Sequence, residues 1–331
     1  MARHHRLLAI ALAAPLVLAA CTTDGGHAGG SGSGGSASGG SASGGGDLTF
    51  SVITHGSAGD AFWDVVQNGA EAAGEDLGIS VDYQSDGDPQ RQAQLIDAAV
   101  NQDVDGIVVS MANPDALQDS VEAAVAAGIP VITINSGGDR AVEFGAIGHV
   151  GQDERIAGQG AGAQLKKNGA AGVLCVVHEA GNIGLDERCS GAAEGFGGVS
   201  TVLQVDINDL QGAQSTITSQ LQSSPDLDAV LTLNSAVAAV AVAAAGDAGS
   251  DAQVATFDLN ADVIAGIQDG DIAFAVDQQQ YEQGYLPIVM LKLFAENRNT
   301  VGGGHPVLTG PGIVDAENVD EIADLASVGT R

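Results

Sequence analysis

From residue 48 onward, apolar runs alternate with segments of helical spacing. "LTFSVITH" (48–55), "ISVDYQ" (79–84), "DGIVVSM" (105–111) and "IPVITIN" (129–135) are rich in β-branched and aliphatic residues. Such runs, where continuous, mark strands covered on both faces. Between them, residues 60–77 carry a helical period that stops at Gly78. Asp88-Pro89 and Asn113-Pro114 each pair an N-cap with a first-turn proline, opening helices that run to about Asn101 and Gly128. Strand, capped helix, strand is the pattern of βαβ units in a parallel sheet.

The rhythm restarts after "GAIGHVGQDE". A helix from about Asp153 leads to "AGVLCVVH", and helical text covers 186–196. "STVLQVDI", a helix over 209–221, "LDAVLTLN", a helix over 235–245, "AQVATFD", a helix from Ala261 and "IAFAVDQ" follow, then a long helix over 281–296. The prediction is α/β, with two Rossmann-like lobes of similar size. Ligands of open α/β sheets sit beyond the carboxyl ends of the strands. Those ends carry His55, Asn135-Ser136, His178-Glu179, Asn234, Asp258 and Asp277-Gln278. The set is short, mostly neutral and rich in amides, which both donate and accept. It suits hydroxyl groups better than phosphate, for which clustered Arg or a glycine loop is expected.

Aromatic residues make up only 3% of the chain, yet Phe62 stands beside Trp63, the single tryptophan. Helical neighbours point about 100° apart, so both cannot serve one core contact. At the start of a helix following the first strand, at least one ring is expected to face the cleft, with Trp63 the better stacking platform.

The 331 residues hold 11 Lys and Arg against 42 Asp and Glu, a net charge of -31. A polyanion has no electrostatic reason to approach nucleic acid. The acidity is read as a solvated surface. The first residues differ in kind. Arg3 and Arg6 precede an apolar run from Leu7 to Ala20, too short to span a bilayer and shaped like a signal peptide. It ends in Leu18-Ala19-Ala20-Cys21, which resembles a lipobox and implies cleavage before Cys21 with lipid on its thiol; an ordinary signal peptide with a chance cysteine is the alternative. Residues 22–46 are almost all Gly, Ser and Ala, the composition of a flexible tether. Cys175 and Cys189 are the remaining cysteines. In an exported chain such a pair forms a disulfide or stays as two buried thiols.

Two motif fragments fail their structural context. "GQGAGA" (158–163) fits a dinucleotide glycine pattern, but 153–156 already begin a helix, so the small residues read as a packing face. "HEAGN" (178–182) has Asn182 where a zinc protease needs its second histidine. No nucleophile–base pair or cofactor motif stands out, so a binding protein is expected, not an enzyme, with no cofactor and no metal.

"THGSAGDAFWD", "DGIVVSMANPDAL", "AAGIPVITINS", "VGQDERIAG", "CVVHEAGNIGLDERCSG", "VATFDLN" and "FAVDQQQYEQGY" together resemble the type I periplasmic solute-binding proteins of sugar ABC importers, ribose-binding-like. Within that group the chain is similar to actinobacterial polyol-binding lipoproteins. The resemblance implies two lobes joined by three crossovers, near Val150, Gln279 and His305. The expected lobes are 47–150 with 280–305, and 151–279 with 306–331, after a signal peptide (1–20) and a lipidated tether (21–46). It places the stacking pair on Phe62 and Trp63, and a polar pair on Asn135 and Ser136. An arginine falls on Arg188, an amide and a carboxylate on Asn234 and Asp258, and the hinge glutamine on Gln278. His55, Asp60, His178, Glu179 and Asn182 lie beside these. Ribose-type members carry Asp-Arg where this chain has Asn135-Ser136, which opens the site to polyhydroxy compounds other than ribose. The implied partners are a sugar or polyol, ABC permease subunits, and a membrane through the lipid anchor only. No nucleic acid is implied, and the chain is expected to act as a monomer. A sensory protein presenting its ligand to a receptor is the rival role.

Overall fold

The computed structural model describes residues 48–331 except 58. The expected signal peptide, Cys21 and the tether lie outside the described residues. The first run is β1 (Thr49–Thr54), α1 (Ala61–Leu77), β2 (Ser80–Ser85), α2 (Pro89–Asn101), β3 (Gly106–Ser110), α3 (Pro114–Ala126), β4 (Val131–Ile134), α4 (Gly138–Ala141) and β5 (Gly148–Gly151). The second is α5 (Glu154–Lys167), β6 (Gly172–Val177), α6 (Ile183–Phe196), β7 (Val199–Gln204), α7 (Leu210–Ser223), β8 (Ala229–Thr232), α8 (Ser235–Ala248), β9 (Gln253–Phe257), α9 (Ala261–Asp269) and β10 (Ile272–Asp277). Then come α10 (Gln280–Asn297), β11 (Val307–Leu308), β12 (Gly312–Val314) and α11 (Ala323–Ser327).

The strands form two six-stranded sheets, ordered β11-β5-β4-β3-β1-β2 and β12-β10-β9-β8-β6-β7. All pairings are parallel except β10 with β12. The two orders repeat one plan, and each reverses direction beside its first strand, which opens a crevice at the carboxyl ends. Alternation along the strands feeds two cores per sheet. Phe50 and Val52 face the layer holding α1 and α10, while Ile53 faces the layer of α2 and α3. Strands buried on both faces explain the continuous apolar runs.

The chain changes sheets after Gly151, after Asp277 and after Leu308. The third change falls beyond the expected His305 because Val307 and Leu308 pair with Val150 and Gly151. At the second, Gln279 holds a left-handed φ of 55°. Its N–H donates to Asp277 Oδ1 at 2.8 Å, while Arg331 Nε donates to Asp277 Oδ2 at 2.7 Å. Asp277 therefore fastens a crossover, although its strand-end position nominated it for the cleft.

The "GQGAGA" stretch lies inside α5. A Cβ on Gly158 would meet the Arg188 carbonyl oxygen, and one on Gly162 the Ala192 carbonyl oxygen. These glycines let α5 and α6 approach backbone to backbone, and α6 carries Arg188. Helix α6 begins at Ile183, three residues before the expected start. Asn182 supplies the reason: its Oδ1 accepts from Gly184 N–H at 3.0 Å and caps the helix there. Cys175 and Cys189 are joined, tying β6 to α6. Among the described residues no helix is long and apolar enough to cross a membrane.

Candidate functional site

A cavity of about 740 Å³ lies between the carboxyl ends of the two sheets. Every candidate named from the sequence except Asp277 borders it: His55, Asp60, Phe62, Trp63, Asn135, Ser136, His178, Glu179, Asn182, Arg188, Asn234, Asp258 and Gln278. The first six come from the β1 and β4 ends, and the rest from the second lobe.

On the first lobe, Asp60 caps α1 by accepting from Phe62 N–H at 3.1 Å. That cap starts the helix at the cavity floor, and so both rings reach it. Phe62 and Trp63 are 5% and 7% exposed and also belong to the core. Their rings meet edge to face at 4.9 Å, and the His55 ring stands 4.7 Å from Trp63. A Cβ on Gly56 would lie 2.5 Å from Trp63 Cγ, so the indole is pressed onto bare backbone. Neighbouring positions on one helix serve both core and cavity because the cavity lies at the helix start.

His55 is anchored by Ser110, whose Oγ accepts from the His55 backbone N–H at 3.0 Å and lies 2.7 Å from Nδ1. Burial pushes the His55 imidazole below its usual range. Asn135 has a φ of 59°, which turns it off β4 into the cavity. Its Nδ2 donates to Gln278 Oε1 at 3.2 Å and to Gln283 Oε1 at 3.4 Å. Ser136 Oγ lies 3.0 Å from Asn135 Oδ1 and 3.2 Å from Asn182 Oδ1.

On the second lobe, Asn182 Nδ2 donates to Glu179 Oε2 at 2.8 Å and lies 3.4 Å from His55 Nε2. His178 follows β6, and burial drops its pKa to about 3, leaving a neutral ring whose Nδ1 has no partner among the described residues. Asn234 caps α8 through Ala236 N–H at 2.8 Å, while its Nδ2 reaches Asp60 Oδ1 at 3.5 Å. Asp258 has a φ of 71° and accepts from Gln278 Nε2 at 2.6 Å. Burial pushes Asp258 up to about 7, and it pushes Asp60 up as well. Arg188 lies over the Phe257 ring, 4.7 Å from its centroid. The lobes also touch through backbone, Ile183 N–H donating to Ala112 O at 3.0 Å.

Several groups escaped the sequence reading, two of them, Asp86 and Asp206, themselves at the ends of β2 and β7. Glu154 binds Arg188 from behind the cavity wall. Asp86, Asp88, Arg91 and Asp206 line the rim. Asp88 looked like an N-cap, which it also is. Glu154 looked like a favourable acid in a first helical turn, and nothing local marks its pairing across 34 positions. Among the described residues no cluster of His, Cys, Asp or Glu could hold a metal ion.

Two paired α/β lobes with a polar, ring-floored cavity at their strand ends define a type I periplasmic-binding-protein fold. A family model described as "Periplasmic binding protein domain" matches residues 50–299, more than half of the chain, and the chain belongs to that family. The chain is 30% identical over 207 residues to the ribose import binding protein RbsB of Bacillus subtilis, across 61% of this chain and 66% of that one. It is 27% identical over 220 residues to the xylose/arabinose-binding protein XylF of Sulfolobus acidocaldarius, across 60% of this chain and 54% of the relative. The chain thus spans about two thirds or less of these curated relatives. Among solved structures, a carbohydrate transporter from Acidothermus cellulolyticus in complex with myo-inositol is 43% identical, with a TM-score of 0.85, covering 86% of this chain and 100% of that one. These relatives are binding and transport proteins rather than enzymes.

Proposed function

We propose that this chain is the lipid-anchored, extracytoplasmic binding component of an ABC importer, and that its cleft captures a sugar or cyclic polyol of the inositol type. The observation that carries the reading is the composition of the cavity wall taken over both lobes. Amides, a neutral imidazole, buried carboxyls and a guanidinium converge there on a floor of two aromatic rings. Such a wall matches a ring that presents C–H groups on its face and hydroxyls around its edge. The myo-inositol bound to the Acidothermus relative supports the same class. Binding is a hinge motion about the three connecting segments, with no covalent step. Specificity arises on closure, because a buried hydroxyl or amide left without a partner costs about 1–3 kcal/mol. Both walls come from one chain, so a monomer suffices. The anchor is Cys21, the tether lets the lobes reach a permease, and the closed shape is what the permease reads.

The test is a thermal-shift titration against myo-inositol, ribose, xylitol and common hexoses, followed by Trp63 fluorescence. Trp63 is the only tryptophan and borders the cavity, so a binder should both raise Tm and change its emission. If no polyhydroxy compound raises Tm, the reading fails.

A further inference from the structure

The charge of the cleft is set by a residue that does not line it. Asp60, Asp86, Asp88, Glu179, Asp206 and Asp258 border the cavity, against the guanidinium groups of Arg91 and Arg188. Arg91 is committed at the rim, to Asp86 at 2.7 Å and Asp88 at 3.9 Å. Arg188 is 3% exposed and held from behind. Its Nε donates to Glu154 Oε2 at 2.5 Å and its Nη2 to Glu154 Oε1 at 2.9 Å, while Nη1 donates to Leu233 O at 3.4 Å. Glu154 is 5% exposed and is itself steadied by Gln152 Nε2 at 2.9 Å. The imidazoles of His55 and His178 do not restore positive charge, since burial keeps both neutral near pH 7.

We propose that Glu154 makes the cleft a charge filter: by occupying the Arg188 fork, it reserves the site for uncharged polyhydroxy ligands and refuses their phosphate and carboxylate counterparts. The inference rests on the cleft reading above. A free arginine fork binds carboxylate or phosphate in two-pronged fashion and would invite such ligands. Here the edge that would do so is filled. An anion entering the closed cleft would surrender its water and meet the Glu179 carboxylate and the buried carboxyls of Asp60 and Asp258, with the charge of Arg188 already balanced by Glu154. A neutral hydroxyl meets no such penalty. It donates to a carboxyl and accepts from the remaining N–H groups of Arg188 or from an amide. Glu154 is thus a positioning residue that determines specificity through Arg188.

The test pairs each neutral compound with a charged one of similar shape: myo-inositol with its 1-phosphate, and glucose with glucuronate. An O-methyl inositol and glucuronamide control for bulk. Calorimetry on the wild type should give a neutral ligand at least about 100-fold tighter than its anion, with the bulk controls close to the neutral compound. Glu154→Gln should shrink that ratio to below about tenfold, and Glu154→Asp should keep it. A wild type that binds an anion as tightly as its neutral partner overturns the filter while leaving the cleft reading intact. A folded Glu154→Gln protein with an unchanged ratio also overturns it. Should the variant not fold, the wild-type ratios with their bulk controls still decide. Failure of every neutral compound to bind would overturn the cleft reading itself, and the filter with it.

Discussion

Replacing Asp258 by asparagine should flatten one component of the pH dependence of stability. The carboxyl is 3% exposed and accepts a hydrogen bond from Gln278 Nε2. Burial raises it from 3.8 to about 7, despite the attraction of Arg188. Each pH unit of displacement corresponds to about 1.4 kcal/mol. The ionised carboxylate therefore costs the fold about 4 kcal/mol relative to the protonated acid. The sign follows from proton counts. Between pH 3.8 and about 7 the folded chain keeps a proton that the unfolded chain has released, so stability falls as pH rises. Below that window the penalty is absent, and above it the penalty is complete. An amide side chain is neutral throughout, so Asp258→Asn should gain stability relative to wild type across the window. Buried His149 and His178, lowered to about 4 and about 3, push the other way: their stability is lost as pH falls below 6.5. Those groups are common to both proteins and cancel in the difference. Urea unfolding of wild type and variant from pH 4.5 to 8, at fixed ionic strength, yields that difference directly. A gap that stays constant with pH would refute the reasoning.

Two further outcomes are expected. The Cys175–Cys189 bond closes a loop with a sequence separation of 14, worth about 3 kcal/mol in the chain-entropy model; the double Cys→Ala variant should lose about that much in urea unfolding, and an equally stable variant would contradict it. If Cys21 is the anchor, detergent-extracted protein should start at Cys21 with added acyl mass, and Cys21→Ala should move the protein out of the membrane fraction; an unmodified mass would remove the anchor.

The architecture was readable because its cause is local and repeated. Capped helices between short apolar strands state their own boundaries, and Asp88-Pro89 and Asn113-Pro114 open helices where they were expected to. The elements that escaped were those whose cause is distant. β11 is two residues long and exists because Val150 and Gly151 offer an edge to pair with. β5 follows a glycine-rich stretch whose pattern is too short to register, yet β4 and β11 flank it. The start of α6 was missed because Asn182 resembled a failed zinc motif rather than a cap.

The same division runs through the cavity. Residues that line it were found because topology forces strand ends together, whatever their individual chemistry. Their partners were not found, because a side chain's charge state depends on what lies behind it. Arg188 taken alone suggests a cationic clamp in the cleft. Arg188 with Glu154 is a neutral, preorganised pair presenting only spare N–H groups. The two descriptions imply opposite ligands, and the residue that chooses between them sits on a neighbouring helix. That helix comes so close because Gly158 and Gly162 leave room for α6, as Gly191 and Gly195 leave room for α5. The glycines set aside as mere packing are therefore part of what brings the pair together, and a Cβ at Gly158 would press on the Arg188 carbonyl oxygen and push the arginine's helix away from Glu154.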